Sequence, residues 1–313
     1  MGARYVWLNG RLVEEAAATV SFLTPGLHYG IGVFEGIRAY ATARGVAVFR
    51  LRDHVRRLLG SARVLGFSDV PYTEDALVQA VRDLVAANEL GACYIRPLVY
   101  LAEGGWDLSV DSGRAHVGIA AWEWRDYLGE EALERGVRAM VSSFTRHHPN
   151  VTMTKAKIAG NYANSVLAKT ESRRLGFDEA IMLDPQGYVA ECTGENLFLV
   201  RQGALVTTPA AAILEGITRD TILTLARDAG LTVVEQPVSR DQLYLADEVF
   251  VCGTAAEVVG VREIDHRRIG EGRTGPVTRM LQQAFRAVTE DRHPRAVEWL
   301  DFVAAGAEVR GGR

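Results

Sequence analysis

The chain has 313 residues, enough for two domains, and its 48% hydrophobic and 24% charged residues are typical of a folded globular protein rather than a disordered one. A net charge of −4 and a pI near 6.0 give no electrostatic reason to expect nucleic acid as a partner. No apolar run is long enough to span a membrane, no secretory signal is recognisable, and the three scattered cysteines form neither a disulfide framework nor a zinc motif. A cytoplasmic location is therefore expected.

The first third of the chain predicts a small α+β domain. Asn9-Gly10 predicts one β-hairpin, and a second is expected from Gly36–Thr42 and Val46–Leu51. Apolar residues at helical spacing predict a helix over Asp53–Leu65, and Thr73 can cap another. Two further segments, rich in β-branched and aromatic residues, are predicted strands: Cys93–Leu101 and His116–Trp124.

The rest of the chain predicts a larger α/β domain at 137–313, joined to the smaller domain at 1–123 by a polar connection at 124–136. Glycines follow the predicted helices, as they commonly do at helix ends. The expected helices are Tyr162–Leu175, Thr218–Ala229 and Gly275–Thr289. The expected strands are Val137–Ser143, Leu231–Val238 and Glu248–Cys252, with strand pairs turning at Asp184–Gly187 and Gln202-Gly203.

Lysine is rare in this protein. Of its 35 Lys and Arg residues, the lysines are Lys155, Lys157 and Lys169. Arginine stays protonated in proteins, whereas a desolvated lysine amine can lose its proton and attack a carbonyl. Codon usage explains the scarcity of lysine equally well, and rarity alone does not show which of the three lysines would be reactive. The motifs that surround them make a reactive lysine the sharper hypothesis.

A reactive lysine suits an enzyme that uses pyridoxal 5′-phosphate. Such an enzyme also needs a partner for the pyridine nitrogen and a cradle for the phosphate. Glu191, at a strand end, suits the nitrogen, and the helix start at Gly216–Thr218 and the turn at Gly253–Ala255 suit the phosphate. Each feature has an ordinary alternative, because Thr218 can be a helix cap, Glu191 a solvated turn residue and Tyr162 a packed aromatic. Their order within one domain favours the cofactor.

Seven segments carry a resemblance to a known family. They are H-Y-G-I-G-V-F-E-G-I-R (28–38), F-R-L-R-D-H-V-R-R-L (49–58), Y-I-R-P-L (94–98), K-I-A-G-N-Y (157–162), E-C-T-G-E-N-L-F (191–198), G-I-T-R-D (216–220) and L-Y-L-A-D-E-V-F-V-C-G-T-A-A-E-V (243–258). As a set they resemble the fold-type IV pyridoxal phosphate enzymes and, within them, the branched-chain amino acid aminotransferases. The resemblance implies the two-domain α+β and α/β fold of the D-amino acid aminotransferase type, with the cofactor between the domains.

The resemblance also implies residue roles. Lys157 would be the Schiff-base lysine and general acid/base, selected over Lys155 by the family's spacing to the asparagine of G-N-Y. Arg57 would hold the phosphate, and Glu191 the ring nitrogen. Further cofactor contacts would come from Tyr162, Ile217, Thr218 and Thr254. The substrate pocket would be lined by Tyr29, Phe34, Gly36, Tyr94, Arg96, Tyr127, Thr254 and Ala255, with Arg96 placed to pair with the distal carboxylate of glutamate.

The activity implied is transamination of L-leucine, L-isoleucine and L-valine with 2-oxoglutarate, giving branched-chain 2-oxo acids and L-glutamate. The resemblance further implies a homo-oligomer, at least a dimer and in some members a hexamer, whose subunits complete each other's pockets. No metal, nucleic-acid or membrane partner is expected, since the adjacent His147-His148 lacks further ligands at suitable spacing.

Some positions carry narrower expectations. Trp106 lies in a segment that departs from the bacterial form of the family and could alter side-chain preference. Glu215 brings a negative charge near the expected phosphate site and should point to solvent. Lys155 is expected to affect local charge or packing, and Lys169 to lie on a solvated helix face.

Four other functions compete with this one. D-amino acid aminotransferase and aminodeoxychorismate lyase share the fold, but F-E-G-I-R with Y-I-R-P favours L-branched-chain substrates, and a lyase would not need Arg96. A dinucleotide-dependent oxidoreductase is suggested by Gly30-Ile31-Gly32, but Glu35 occupies the third glycine position and the segment does not join a strand to a helix. A non-catalytic binding protein would be colourless, whereas a bound cofactor would colour the protein yellow.

Overall fold

The computed structural model describes residues 4–124 and 130–304. Its strands are β1 (Tyr5–Leu8), β2 (Arg11–Glu14), β3 (Gly32–Phe34), β4 (Ile37–Thr42), β5 (Gly45–Phe49), β6 (Cys93–Gly104), β7 (Gly113–Glu123), β8 (Val137–Val141), β9 (Glu179–Leu183), β10 (Val189–Cys192), β11 (Asn196–Arg201), β12 (Ala204–Thr207), β13 (Val233–Glu235), β14 (Glu248–Gly253), β15 (Glu257–Ile264), β16 (Arg267–Arg268) and β17 (Leu300–Phe302). Its helices are α1 (Pro25–Tyr29), α2 (Leu51–Leu65), α3 (Glu74–Ala87), α4 (Glu130–Arg135), α5 (Tyr162–Arg174), α6 (Ile217–Asp228), α7 (Arg240–Tyr244), α8 (Pro276–Thr289) and α9 (Ala296–Trp299).

The described residues form two compact units. The first unit contains residues 4–124, 156–160 and 288–304, and the second contains 130–155 and 161–287. Residues 156–160 and 288–304 thus belong to the first unit, whereas the sequence predicts them within the second domain. The short segment 156–160 matters most, because Lys157 lies in it.

The first unit is built on an antiparallel sheet. Among the described residues its eight strands run in the order β17-β5-β4-β6-β7-β1-β2, and β3 also pairs with β6. Phe34 of β3 pairs with Leu98, and Ile37 of β4 pairs with Ile95. Both short strands therefore use the same edge of β6, because β7 pairs along its other edge. Glu35 and Gly36 lie in the break between them.

Helices α2 and α3 cover this sheet with apolar faces. The buried residues of α2 recur at helical spacing, from Leu51 through Val55 and Leu58 to Ala62. Thr73 caps α3, as predicted, by accepting the Ala76 amide at its hydroxyl. Residues from both helices and from β3, β4, β6 and β7 form one buried apolar cluster. The same face of α2 also carries polar residues that belong to the candidate site.

The second unit has a mixed sheet. In the described part of the chain its nine strands follow the order β10-β9-β8-β15-β14-β11-β12-β13, with β16 paired to β15. β8 lies parallel to both β9 and β15, and β12 is parallel to β13, whereas the other pairs are antiparallel. The central strands are apolar on both faces, which is the pattern of strands covered on both sides.

Most predicted elements are confirmed, with boundaries that shift by one to three residues. The predicted strand Leu231–Val238 is shorter than expected, since only Val233–Glu235 pairs with β12. The connection predicted at 124–136 contains α4. The long strand β15 was not predicted, because Gly260 and the charged pair Arg262 and Glu263 break its apolar pattern.

Among the described residues, no helix combines the length and the apolar character that crossing a membrane requires. Cys93, Cys192 and Cys252 are all buried and unpaired. Burial raises the pKa of each of these thiols, that of Cys93 to about 12, so they are not reactive thiolates at neutral pH.

Candidate active site

Lys157 lies in a segment of the first unit whose backbone is held on both sides. Its amide donates to Ser61 Oγ at 3.0 Å, and its carbonyl accepts from the Phe34 amide at 3.0 Å. The Gly160 amide donates to the Gly30 carbonyl at 3.2 Å, and a Cβ on Gly30 would lie 2.9 Å from the Gly160 Cα. The Lys157 side chain is half-buried, with Nζ 4.9 Å from the centroid of the Phe34 ring. This backbone fixes where the amine is presented.

Lys155 serves a local role in the second unit. Its Nζ donates to the carbonyls of Ala210 and Ile213, the latter at 3.1 Å, and lies 3.5 Å from a carboxylate oxygen of Glu215. Glu215 is 63% exposed, so its carboxylate faces solvent as expected. Lys155 therefore offsets that negative charge, in agreement with its predicted effect on local charge.

Lys169 does not lie on a solvated face, and that prediction is wrong. Its side chain is only 16% exposed and pairs with the Glu179 carboxylate, which is 5% exposed. Its Nζ also donates to the Asp178 carbonyl at 2.7 Å. The helix α5 that carries Lys169 packs against β9, which brings Glu179 under it. Sequence spacing within the helix could not reveal this partner.

Arg57 is oriented by a fully buried carboxylate in the first unit. Its Nε donates to Glu35 Oε1 at 2.6 Å and its Nη2 donates to Glu35 Oε2 at 2.8 Å. His54, one turn earlier on α2, bonds Glu35 Oε2 through Nδ1 at 2.7 Å. Burial alone would raise the pKa of Glu35, but the charge and hydrogen bonds of Arg57, with the hydrogen bond from His54, outweigh it and hold that pKa below its usual range. Glu35 is therefore an anion that fixes the guanidinium.

Aromatic residues and the Arg96 guanidinium form a wall along β3 and β6. The Arg96 guanidinium carbon lies 4.7 Å from the Phe34 ring centroid and 5.2 Å from that of Tyr94, and Nη2 donates to the Tyr94 hydroxyl at 3.1 Å. Tyr94 packs in turn on Trp122, with ring centroids 5.3 Å apart. A Cβ on Gly36 would lie 2.0 Å from the Tyr94 hydroxyl oxygen, so only glycine fits there. Four of the residues predicted to line the pocket are thus neighbours.

The Nε of Arg96 is a buried hydrogen-bond donor. This nitrogen is shielded from solvent and has no hydrogen-bond partner among the described residues. Buried donors are nearly always satisfied in proteins, by protein, water or ligand. A carboxylate placed beside Arg96 would satisfy this donor and its charge together.

The structure also places Tyr29, another predicted pocket residue. Tyr29 is 46% exposed at the end of α1, and its ring lies 5.8 Å from that of Trp106, which is 48% exposed. Trp106 also contacts His28 at 5.1 Å between ring centroids. Tyr127 lies outside the described residues.

Glu191 is buried in the second unit rather than solvated. Arg146 Nε donates to Oε1 at 2.6 Å, and Asn196 Nδ2 donates to Oε2 at 3.2 Å. The Leu214 amide lies within 3.3 Å of both oxygens. Only 6% of Glu191 is exposed, so the Arg146 guanidinium supplies the charge that an anionic carboxylate needs at this depth. The ordinary explanation, a solvated glutamate in a turn, is excluded.

One of the two predicted phosphate turns lies at a helix N-terminus. Gly216 is the N-cap of α6, and Ile217 and Thr218 are its first residues, both nearly buried. A Cβ on Gly216 would lie 2.0 Å from Asn196 Oδ1, which makes this glycine part of the Glu191 network. The residues 254–255 follow β14 in its hairpin to β15 and are half-buried. Tyr162 is the first residue of α5 and is also half-buried.

Sequence reasoning missed four residues that hold the site residues in place. They are Glu35, His54, Arg146 and Asn196. Each acts through a partner that lies far away in the sequence or behind a turn, so no local pattern marks it. One signal was available, because a carboxylate inside an otherwise apolar segment, as in V-F-E-G-I, needs a buried cation.

Comparisons with known proteins agree with this geometry. The family described as Amino-transferase class IV matches residues 32–264. The chain is 48% identical over 298 residues to the branched-chain-amino-acid aminotransferase of Pseudomonas aeruginosa, covering 95% of this chain and 97% of that protein. It is 47% identical over 303 residues to the enzyme of that name from Escherichia coli K12, covering 96% and 98%.

A solved structure has the same fold. The branched-chain amino acid aminotransferase from Thermobaculum terrenum, in its PLP form, superposes with a TM-score of 0.91 at 39% identity, covering 97% of this chain and 99% of that one. The chain therefore belongs to the class IV aminotransferases. The predicted family, the fold-type IV fold and the enzyme class, a transferase of nitrogenous groups, are confirmed.

Replacing Gly36 should test the packing of the aromatic wall. In Gly36→Ala the new methyl group would overlap the Tyr94 hydroxyl, so the free energy of unfolding should fall by about 1–3 kcal/mol. Chemical denaturation measures this. Gly118→Ala is the matched control on β7, since a Cβ there makes an ordinary contact of 3.5 Å with Leu8, and its stability should be unchanged. Equal stability of the two variants would contradict the packing described.

Proposed function

We propose that this protein is a pyridoxal 5′-phosphate-dependent aminotransferase that moves the amino group of L-leucine, L-isoleucine and L-valine to 2-oxoglutarate. The observation that carries the proposal is the setting of Arg96, whose guanidinium lies against Phe34 and Tyr94 and keeps a buried, unsatisfied Nε among the described residues. One pocket must take an apolar side chain and then the charged one of glutamate. Aromatic walls suit the first substrate, and a single guanidinium suits the second.

The residues present fit the cofactor. A half-buried lysine, a buried anionic carboxylate and a helix start that carries a hydroxyl are the groups that its aldehyde, ring nitrogen and phosphate require. The group expected at each position is Lys157 for the aldehyde, Glu191 for the nitrogen, Tyr162 for the phenolic oxygen and Arg57, Ile217, Thr218 and Thr254 for the phosphate. When bound, pyridoxal 5′-phosphate supplies an electron sink for negative charge at the substrate Cα.

The chain's own residues then control the proton. With the cofactor bound, the Lys157 amine would be the group that carries a proton between the substrate Cα and the cofactor carbon C4′. Hydrogen bonds to Ser61 and Phe34 hold the backbone of Lys157 and so restrict where its amine is presented. Glu191 would keep the ring nitrogen of a bound cofactor protonated, because Arg146 stabilises the Glu191 carboxylate as an anion.

Substrate recognition divides between two kinds of group. The groups expected to bind the substrate α-carboxylate are Tyr94 and the backbone amides at Thr254 and Ala255. Phe34 and Gly36 form the apolar wall for branched side chains, and Arg96 receives the distal carboxylate of glutamate. The amino-terminal domain at 1–123 contributes most of this specificity, and the cofactor residues come mainly from 137–313.

The same-fold alternatives are less well supported. D-amino acid aminotransferase and aminodeoxychorismate lyase remain testable, but the relatives compared above carry the branched-chain name. A homo-oligomer, dimeric at least, is proposed because Phe22, Tyr29 and Trp106 expose 77%, 46% and 48% of their surface around α1. A cytoplasmic location stays a prediction from composition and cysteine content.

The substrate class is tested directly. The purified protein, saturated with pyridoxal 5′-phosphate, should form L-glutamate from 2-oxoglutarate when L-leucine is supplied. Coupled glutamate detection measures the rate. Turnover of D-alanine without turnover of L-leucine would identify a D-specific enzyme and overturn the proposal.

The role of Lys157 predicts where the cofactor attaches. Borohydride reduction of the holoenzyme, followed by peptide mass spectrometry, should place the cofactor on Lys157. Lys157→Ala should lose at least about three orders of magnitude in the rate of transamination, because the proton carrier is removed. Lys155→Arg is the matched control two residues away, keeps its charge beside Glu215, and should retain activity. Attachment at Lys155 would contradict the assignment.

Arg96 predicts a substrate-specific defect. Arg96→Gln should raise the KM for 2-oxoglutarate by about tenfold or more, as expected when one charge-assisted interaction is lost, and change the KM for L-leucine much less. Steady-state kinetics with each substrate varied measures both. Arg114→Gln, on an exposed position of β7, is the control and should leave both values unchanged. Parallel changes for the two substrates would argue against a role specific to glutamate.

A further inference from the structure

The buried carboxylate of Glu35 has no assigned function in the reaction, yet it is among the most enclosed charges of the first unit. It is 0% exposed and lies in the break between β3 and β4. Its amide is fixed by the Pro97 carbonyl at 3.0 Å, which sets the direction of the side chain. Removing a carboxylate from water is unfavourable unless the charge is paired, so apolar residues usually occupy such buried positions. A charged residue at this buried position therefore indicates a role other than stabilising the fold.

Both oxygens of Glu35 are used to hold one face of α2. Arg57 approaches side-on, through Nε and Nη2, at 2.6 and 2.8 Å. A paired fork of this kind fixes the plane of a guanidinium, which a single hydrogen bond cannot do. The pair with Glu35 therefore decides in which direction the other edge of the Arg57 guanidinium points.

His54 steadies this pair as a neutral donor. It is 1% exposed, and burial lowers its pKa, with the charges of Arg57 and Lys157 adding to that effect against the opposing pull of Glu35. Because Glu35 is ionised and accepts, the Nδ1 of His54 carries the hydrogen. The histidine thus holds Oε2 without adding a second positive charge beside Arg57.

The same face of α2 reaches the segment of Lys157. Ser61, one turn after Arg57, accepts the Lys157 amide, and the Lys157 carbonyl accepts the amide of Phe34, the residue before Glu35. Hydrogen bonds, together with the α2 backbone and the Phe34-Glu35 peptide bond, thus connect the carboxylate, the guanidinium and the backbone of the lysine. Movement of Glu35 would be felt at both Arg57 and Lys157.

We propose that Glu35, held by His54, is a positioning residue that orients Arg57 toward the cofactor phosphate. This inference rests on the proposed function, in which Arg57 binds that phosphate. It predicts a defect confined to ligands that carry a phosphate. A carboxylate that only stabilised the fold would affect all ligands, or none.

The test compares two ligands on the apoenzyme. Glu35→Gln keeps the size of the side chain but removes its charge and one acceptor, so the Kd for pyridoxal 5′-phosphate should rise about tenfold while the Kd for pyridoxal, which lacks the phosphate, stays unchanged. Absorbance titration measures both constants. Arg56→Gln, the exposed neighbour on α2, is the control and should change neither. Equal losses for the two ligands, or none, would overturn the inference.

A double-mutant cycle tests whether Glu35 acts through Arg57. Arg57→Gln alone should weaken binding of pyridoxal 5′-phosphate, and adding Glu35→Gln to it should weaken binding by less than about twofold more. Additive losses would mean that Glu35 acts elsewhere. If Arg57→Gln binds pyridoxal 5′-phosphate normally, the assignment of Arg57 fails and the inference with it. If only Glu35→Gln binds normally, the inference alone fails.

Variants of His54 keep the test decisive if Glu35→Gln does not fold, which circular dichroism of the apoenzyme would reveal. His54→Asn retains a side-chain N–H near the position of Nδ1, whereas His54→Leu removes it. The Leu variant should raise the Kd for pyridoxal 5′-phosphate severalfold, and the Asn variant should restore most of the affinity. Identical values for the two variants would overturn the role of His54 as a donor to Glu35.

Discussion

A carboxylate taken out of water must find a cation and fixed donors, and this requirement shapes the candidate site in each unit. In the first unit Glu35 is paired with Arg57 through two hydrogen bonds. In the second unit Glu191 is paired with Arg146 and accepts a hydrogen bond from the backbone amide of Leu214. Both pairs are enclosed, so solvent screening is weak and each fixes the direction of its charged partner.

The two pairs place the charge differently. In the proposed site, Glu35 supports Arg57, and the arginine is the member of the first pair expected to bind a ligand. Arg146 supports Glu191, and the carboxylate is the member of the second pair expected to do so. An enzyme that binds an anionic phosphate and a protonated ring nitrogen needs one of each kind. The chemistry therefore depends on which member of the pair is presented, and the supporting member sets its geometry.

Close backbone approaches provide the second constraint. The methyl group of an alanine at Gly36 would collide with Tyr94, and one at Gly216 would collide with Asn196. In each case a side chain that touches a candidate site residue occupies the space that a Cβ would need. These glycines are required by side-chain packing, since neither of them adopts a positive φ in the structure. The residues of a motif such as F-E-G-I-R are thus constrained by contacts with residues that are distant in the sequence.

The amino-acid sequence is enough to predict the hairpin at Asn9-Gly10, the helix caps and the segment that contains the candidate lysine. Turn chemistry, helical spacing and motif order are local properties of the chain. What those side chains touch became known only from the folded chain. In the folded chain Glu35 pairs with Arg57, and Lys157 lies in the first unit. Lys169 pairs with Glu179 instead of lying on the solvated face that was expected. Burial and ion pairing depend on which surfaces meet when strands and helices pack, and residue spacing along the chain does not specify that.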